Sequence, residues 1–126
     1  MSNEYDVNLR YGVDTKGDLT GKVAVVTGGL GGIAMASNQM LLEKGSSLAL
    51  LYPAFEQSKV ADIAGQFASD RVQFVQCDVT DPHSVEQAIA QVEAHYGKID
   101  ILVNCAGYVM LQSVLETDFD LSLIHI

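Results

Sequence analysis

Thr27-Gly28-Gly29-Leu30-Gly31-Gly32-Ile33-Ala34 is the stretch of this 126-residue chain whose composition points most directly to chemistry. Glycines let a backbone turn tightly and approach a ligand without Cβ clashes. A helix that starts just after such a turn adds free N–H groups and a positive dipole end, which together hold a phosphate. No Gly-Lys-Ser/Thr follows the turn, so the P-loop of nucleoside triphosphatases is excluded. Side-chain chemistry is sparse by comparison. Cys77 and Cys105 show no CxxC spacing and no histidine at zinc-ligand spacing, so both read as reduced, buried and inert residues at strand ends. His83, His95 and His125 lack Ser or Cys partners at a recognisable spacing, and His83 reads as an exposed residue of a helix's first turn. Asp81, directly before Pro82, reads as an N-cap, and the remaining acids as solvated helix faces and caps.

A phosphate cradle needs a strand entering it and a helix leaving it, and the flanking pattern supplies both. Residues 22–27 form a short apolar run bounded by Gly21 and Gly28, as for a strand buried on both faces. Ile33, Ala36, Met40, Leu41 and Lys44 then recur at helical spacing until Gly45. The alternation repeats. A second strand over 47–52 leads through Pro53 into a helix carrying Val60, Ile63, Ala64 and Phe67. A third strand over 72–77 leads into a helix with Val85, Ala88, Ile89 and Val92 on one face, ended by Gly97, and a fourth strand covers 100–104. Strands separated by helices of this length predict a parallel sheet with right-handed crossovers. The expected fold class is therefore α/β, a Rossmann-like doubly wound parallel sheet truncated after the fourth strand. A strand order of 3-2-1-4 would put Cys77 and Cys105 about three strand spacings of ~4.8 Å apart, beyond the ~7 Å Cα limit for a disulfide.

Three segments follow: an N-terminal arm over 1–18, the α/β domain over 19–120, and a tail over 121–126. Thr117-Asp-Phe-Asp120 looks like the start of a further helix, which the sequence leaves barely two turns to form. A fourth strand left as a bare apolar edge, and a tail that one codon set would spell from a common sequencing adaptor, lead to the expectation of a truncated chain with a non-native end.

Several motifs then fall in one order. Thr27-Gly28-x-x-x-Gly32-Ile33 resembles the Thr-Gly-x-x-x-Gly-x-Gly signature of short-chain dehydrogenases/reductases, with Ala34 in place of the last glycine. Leu19-Thr-Gly-Lys-Val, Cys77-Asp-Val-Thr-Asp81, Gly97-Lys-Ile-Asp-Ile-Leu-Val and Asn104-Cys-Ala-Gly107 match further family motifs. The resemblance covers residues 19–120, roughly the N-terminal half of a typical member. It implies that Gly28, Leu30, Gly32 and Ile33 line the pyrophosphate and ribose of a nicotinamide dinucleotide, that Asp78 accepts from the adenine amino group, and that Val79 packs on adenine. Asn104, Cys105, Ala106 and Gly107 occupy the family's Asn-Asn-Ala-Gly stretch, which contacts the ribose largely through backbone; Cys105 departs from the second Asn. Tyr52 and Pro53 stand where an acid would select NAD or an Arg would select NADP, and Gly31 stands where NADP-preferring members often carry a base. With no cation for a 2′-phosphate, the expected cofactor is NAD, NADP remaining possible. Tyr52 also reads as a strand-end aromatic packed on the next helix.

The family's catalytic groups are a Ser and a Tyr-x-x-x-Lys, whose lysine lowers the tyrosine pKa for proton transfer. Four residues after Tyr5, Tyr11, Tyr52, Tyr96 and Tyr108 lie Leu9, Thr15, Glu56, Asp100 and Gln112, so the pair is absent and no catalytic residue is assigned. The resemblance thus implies the cofactor-binding half of an oxidoreductase that interconverts an alcohol and a ketone, with a sugar or polyol suggested by the N-terminal arm. A non-catalytic dinucleotide-binding or redox-sensing module is the alternative, and a methyltransferase-like domain a weaker one. Family habit suggests a homo-oligomer. With 7 Lys+Arg against 16 Asp+Glu and a formal charge of −9, nucleic acid is not an expected partner. Neither a spanning apolar run nor a signal pattern is present, so the expected setting is cytoplasmic, away from membranes.

Overall fold

β-branched and apolar runs too short for helices pair here into one parallel sheet, and the longer periodic segments between them cover its two faces. The computed structural model describes residues 17–67 and 69–107. Most of the N-terminal arm, the segment from Tyr108 to Asp120 with its capping-box-like start, and the tail over 121–126 lie outside the described residues. In chain order the elements are β1 (Val23–Thr27), α1 (Gly32–Glu43), β2 (Ser47–Tyr52), a 3₁₀ turn (Ala54–Lys59), α2 (Val60–Phe67), β3 (Val72–Gln76), α3 (Pro82–Tyr96) and β4 (Ile101–Asn104).

The strand order is β3-β2-β1-β4, all parallel, with Val25 facing Ala49 on one side and Leu102 on the other. β1 and β2 are central and almost wholly buried, which explains their unbroken apolar sequences. Alternate residues serve opposite faces. Ala24, Val26, Leu48 and Leu50 pack with Ala34 and Leu42 of α1 and Ile63 of α2, while Val25, Ala49, Leu51 and Val75 pack with Ala88 and Val92 of α3. Helices α1 and α2 therefore share one face and α3 takes the other, which is the doubly wound arrangement.

Caps define the helix ends. Asp81 accepts from the His83 N–H at 3.0 Å ahead of Pro82, and Gly97 closes α3 at φ +82°. The guanidinium of Arg71, just before β3, donates to the Ser46 carbonyl (2.8 Å) and the Leu42 carbonyl (3.2 Å), covering the C-terminal end of α1.

Two features differ from the sequence pattern. Of the apolar residues that recur along α1, Ile33, Ala36 and Met40 are exposed, and the buried positions are Ala34, Asn38 and Leu42. Apolar side chains ring this helix on most sides, so periodicity alone does not select its inner face. The segment after Pro53 does not enter an α-helix at once but first makes the 3₁₀ turn, and α2 begins only at Val60.

Candidate functional site

At the end of β1 the backbone must swing from the sheet into α1, and steric contacts specify how. Gly28 adopts φ +58°, and a Cβ there would lie 2.8 Å from both Cα and N of Ala106. Gly29 has equally little room, since a Cβ would lie 2.8 Å from Leu50 Cβ. Hydrogen bonds pin the turn from below. The Gly29 N–H donates to the Leu51 carbonyl (2.9 Å), the Gly31 N–H to the Gly28 carbonyl (3.1 Å), and the buried amide of Asn38 donates to the Gly29 carbonyl (2.8 Å). Thr27 ties the turn to the loop after β4: its carbonyl accepts from the Cys105 N–H and its Oγ1 from the Ala106 N–H, each at 3.2 Å.

The start of α1 is left open. Gly31 is the N-cap with no side-chain hydrogen bond, no acid lies in the first turn, and nothing lies within 4 Å of a Cβ placed on Gly32. The first N–H groups of a 12-residue helix thus have no acceptor from their own cap, in a glycine setting that lets an anion come close. These residues fit a pyrophosphate.

Beside this turn, on the C-terminal edge of the sheet, lies a cleft of about 250 Å³. Its walls come from the loops after every strand: Gly28 after β1, Pro53, Phe55 and Glu56 after β2, Cys77 to Thr80 after β3, and Ala106 with Gly107 after β4. Asp78 Oδ1 accepts from the Thr80 hydroxyl (2.6 Å) and N–H (3.0 Å), and these bonds, the hydroxyl first, hold its carboxyl below the usual range. The Asp78 N–H is anchored on Ser84 Oγ at 2.9 Å. Val79 presents an apolar side chain that is 47% exposed.

Gly28, Asp78, Val79, Ala106 and Gly107, separate in sequence, are therefore brought to one cleft. Other residues singled out by sequence lie elsewhere. Gly32 and the exposed Ile33 open α1, Leu30 is buried in the core under it, and Asn104 ends β4 with Cys105 half-buried behind it. Tyr52 points into the core shared with α1 and α2, and its hydroxyl donates to Gln57 Oε1 at 2.5 Å. That is the packed strand-end aromatic.

Cys77 and Cys105 are free thiols. Cys77 is buried at the cleft floor, where burial above all raises its pKa. Phe55 and Glu56 had no signal in the sequence, because only the 3₁₀ turn folds them back toward the cleft. Among the described residues no cluster of three or more His, Cys, Asp or Glu is placed to hold a metal, and no helix is long and apolar enough to cross a membrane.

Comparison with known proteins places this geometry. The family model described as short chain dehydrogenase matches residues 22–123. An NAD-dependent glycerol dehydrogenase of Listeria innocua is 38% identical over 101 residues, spanning 80% of this chain and 39% of that protein. A short-chain dehydrogenase/reductase from Serratia marcescens superimposes with a TM-score of 0.71 at 35% identity, covering 81% of this chain and 42% of that one. A blue fluorescent protein from a metagenomic library, solved in complex with NADPH, gives 0.73 at 33% identity over 82% of this chain and 43% of that one. The chain spans less than half the length of each of these relatives.

Proposed function

Because the chain belongs to the short-chain dehydrogenase family, we propose that it carries the dinucleotide-binding portion of an NAD(P)-dependent oxidoreductase that interconverts an alcohol and a ketone. The observation that carries this reading is the cleft at the strand ends, where Gly28 leaves no room for a side chain and the uncapped start of α1 adjoins Asp78 and Val79 across one edge of the sheet. In this reading Gly28, Gly32 and the first N–H groups of α1, with Leu30 and Ile33 flanking them, hold the pyrophosphate through backbone. The Asp78 carboxylate accepts from the adenine amino group and Val79 packs on the ring. Residues Asn104, Cys105, Ala106 and Gly107 support the ribose, with Tyr52 behind the strand end. Bound nicotinamide supplies hydride transfer; the residues of this chain bind and orient it.

Proton transfer to a carbonyl needs a donor with a lowered pKa, and none of the five tyrosines has a lysine four residues on. The 126 residues by themselves are therefore expected to bind cofactor without turnover, the catalytic pair being supplied by further sequence in a longer protein. A polyol or sugar substrate is supported by the similarity to a glycerol dehydrogenase and by the N-terminal arm, and homo-oligomerisation of the longer protein by family habit. The alternative reading is a dinucleotide-binding or redox-sensing module that performs no catalysis.

Titration of the purified chain with NADH, NADPH and S-adenosylmethionine, followed by calorimetry and nicotinamide fluorescence, tests the site. Saturable binding of a nicotinamide dinucleotide and none of S-adenosylmethionine is expected. Preference for S-adenosylmethionine, or binding of none of the three, would overturn the reading. Appending sequence that carries Ser and Tyr-x-x-x-Lys should then bring alcohol-dependent reduction of cofactor, and its absence would favour the binding module.

A further inference from the structure

The buried residues of α1 are Ala34, Asn38 and Leu42, one turn apart along its inner face, and the middle one is polar. Asn38 is 0% exposed, between two members of the apolar cluster on that side of the sheet. Its Nδ2 donates to the Gly29 carbonyl at 2.8 Å, and its Oδ1 has no partner. A carbonyl can only accept, so the amide nitrogen must face Gly29 and the oxygen is left orphaned. A buried acceptor without a donor lowers stability, and an apolar side chain of the same shape would spare the fold that loss. The bond to Gly29 is what distinguishes Asn38 from such a side chain. The peptide it holds is the central one of a β-turn, closed by the Gly31 N–H on the Gly28 carbonyl at 3.1 Å. A central peptide can tilt, or turn over between turn types; the Leu30 side chain opposes only the second, because it puts Leu30 in the left-handed region.

The described peptide bonds include no cis form, and across a trans peptide the carbonyl and the following N–H point in opposite directions. With the Gly29 carbonyl turned inward onto Asn38, the Leu30 N–H points away from the buried face of α1. Among the described residues no acceptor reaches that N–H or those of Gly32 and Ile33. We propose that Asn38 is a positioning residue of the glycine turn: its amide fixes the Gly29–Leu30 peptide so that the Leu30 N–H joins those of Gly32 and Ile33 as a donor to the pyrophosphate, and it keeps the negative end of the Gly29 carbonyl away from that anion. This rests on the dinucleotide reading above. The aim of each backbone donor counts because neither Lys nor Arg is among the residues lining the adjoining cleft.

The test compares the 126-residue chain with Asn38→Leu, which keeps the shape without the donor, and with Asn38→Ala, circular dichroism serving as the check on folding. NADH and 5′-ADP, which both carry linked phosphates, should bind each folded variant about tenfold more weakly, as for one lost hydrogen bond to a charged group. Adenosine, measured by its displacement of NADH, should keep its affinity within about twofold, since its contacts lie apart from the turn. Amide NMR adds a readout that needs no substitution: in the unaltered chain the Leu30 amide proton should move downfield with those of Gly32 and Ile33 as NADH is added. In Asn38→Leu the Leu30 response should shrink while that of Val79 persists. Equal loss of adenosine and NADH binding in the folded variants marks a merely structural residue and overturns the inference. Unchanged NADH affinity in both folded variants overturns it too, as does a Leu30 amide that stays in place in an unaltered chain that binds NADH. Each of these results leaves the dinucleotide reading intact. If neither variant folds, the Leu30 amide of the unaltered chain decides. Failure of the unaltered chain to bind NADH overturns both the inference and the dinucleotide reading.

Discussion

Gly28 and Gly32 belong to one motif, yet the space around them differs. A methyl group on Gly28 would collide with the Ala106 backbone at 2.8 Å and sit on a residue at φ +58°, while one on Gly32 meets nothing within 4 Å. Gly28→Ala is therefore expected to cost about 1–3 kcal/mol of stability and to abolish dinucleotide binding, by analogy with other forced left-handed residues. Gly32→Ala should fold normally and weaken binding only. Denaturant unfolding and NADH titration of the two variants check the contrast, and equal stability loss in both would contradict it. Asn38 is a different case: its fully buried amide holds the Gly29 carbonyl, while its Oδ1 has no partner. The glycines were legible in the sequence because their motif depends on local backbone freedom. Asn38, Phe55 and Glu56 were not, because their roles come from contacts across turns that the one-dimensional pattern does not contain.

Between elements, two polar side chains carry connections that apolar packing cannot. Arg71 bonds to the Leu42 and Ser46 carbonyls, joining the end of α1 to the entrance of β3, and Arg71→Met should lower stability by about 2 kcal/mol in a urea melt, as for hydrogen bonds made by a charged donor. Asp100 joins β4 to β1, its Oδ2 accepting from the Val23 N–H (2.9 Å) and from Lys98 Nζ (2.9 Å). The Lys98 bond, followed by that from Val23, holds the Asp100 carboxyl below its ordinary range in the folded state. A carboxyl whose folded pKa is depressed contributes stability above its unfolded pKa of about 3.9, and that contribution is lost as pH falls through the folded value. Asp100→Asn should therefore flatten the acid limb of stability against pH while leaving its shape near neutrality unchanged, as thermal melts across acid pH would report. Among the described residues, periodicity located the three α-helices in their place in the order. It misjudged the inner face of α1, where apolar residues surround the axis and the packing against Val26 and Leu50 selects Ala34 and Leu42.

At the scale of the whole molecule, the order β3-β2-β1-β4 keeps Cys77 at the end of one outer strand and Cys105 at the end of the other. No shift on a non-reducing gel is expected for the monomer, and one would contradict the topology. The same order makes β4 the edge of the described sheet, with Leu102 60% exposed on it. An apolar edge of this kind invites association, so the purified chain should show concentration-dependent light scattering that Leu102→Lys reduces; a monodisperse chain with a sharp, reversible melt would contradict this. What the sequence by itself determined are features set by near neighbours along the chain: the buried strands, the glycine turn, the caps at Asp81 and Gly97, and the alternation that implies a parallel sheet. Only the tertiary structure decided which residues share the cleft, why Tyr52 serves the core and how Glu56 reaches the cleft wall. Those outcomes depend on where loops from four different strands meet, and that meeting is produced by the pairing and twist of the sheet as a whole.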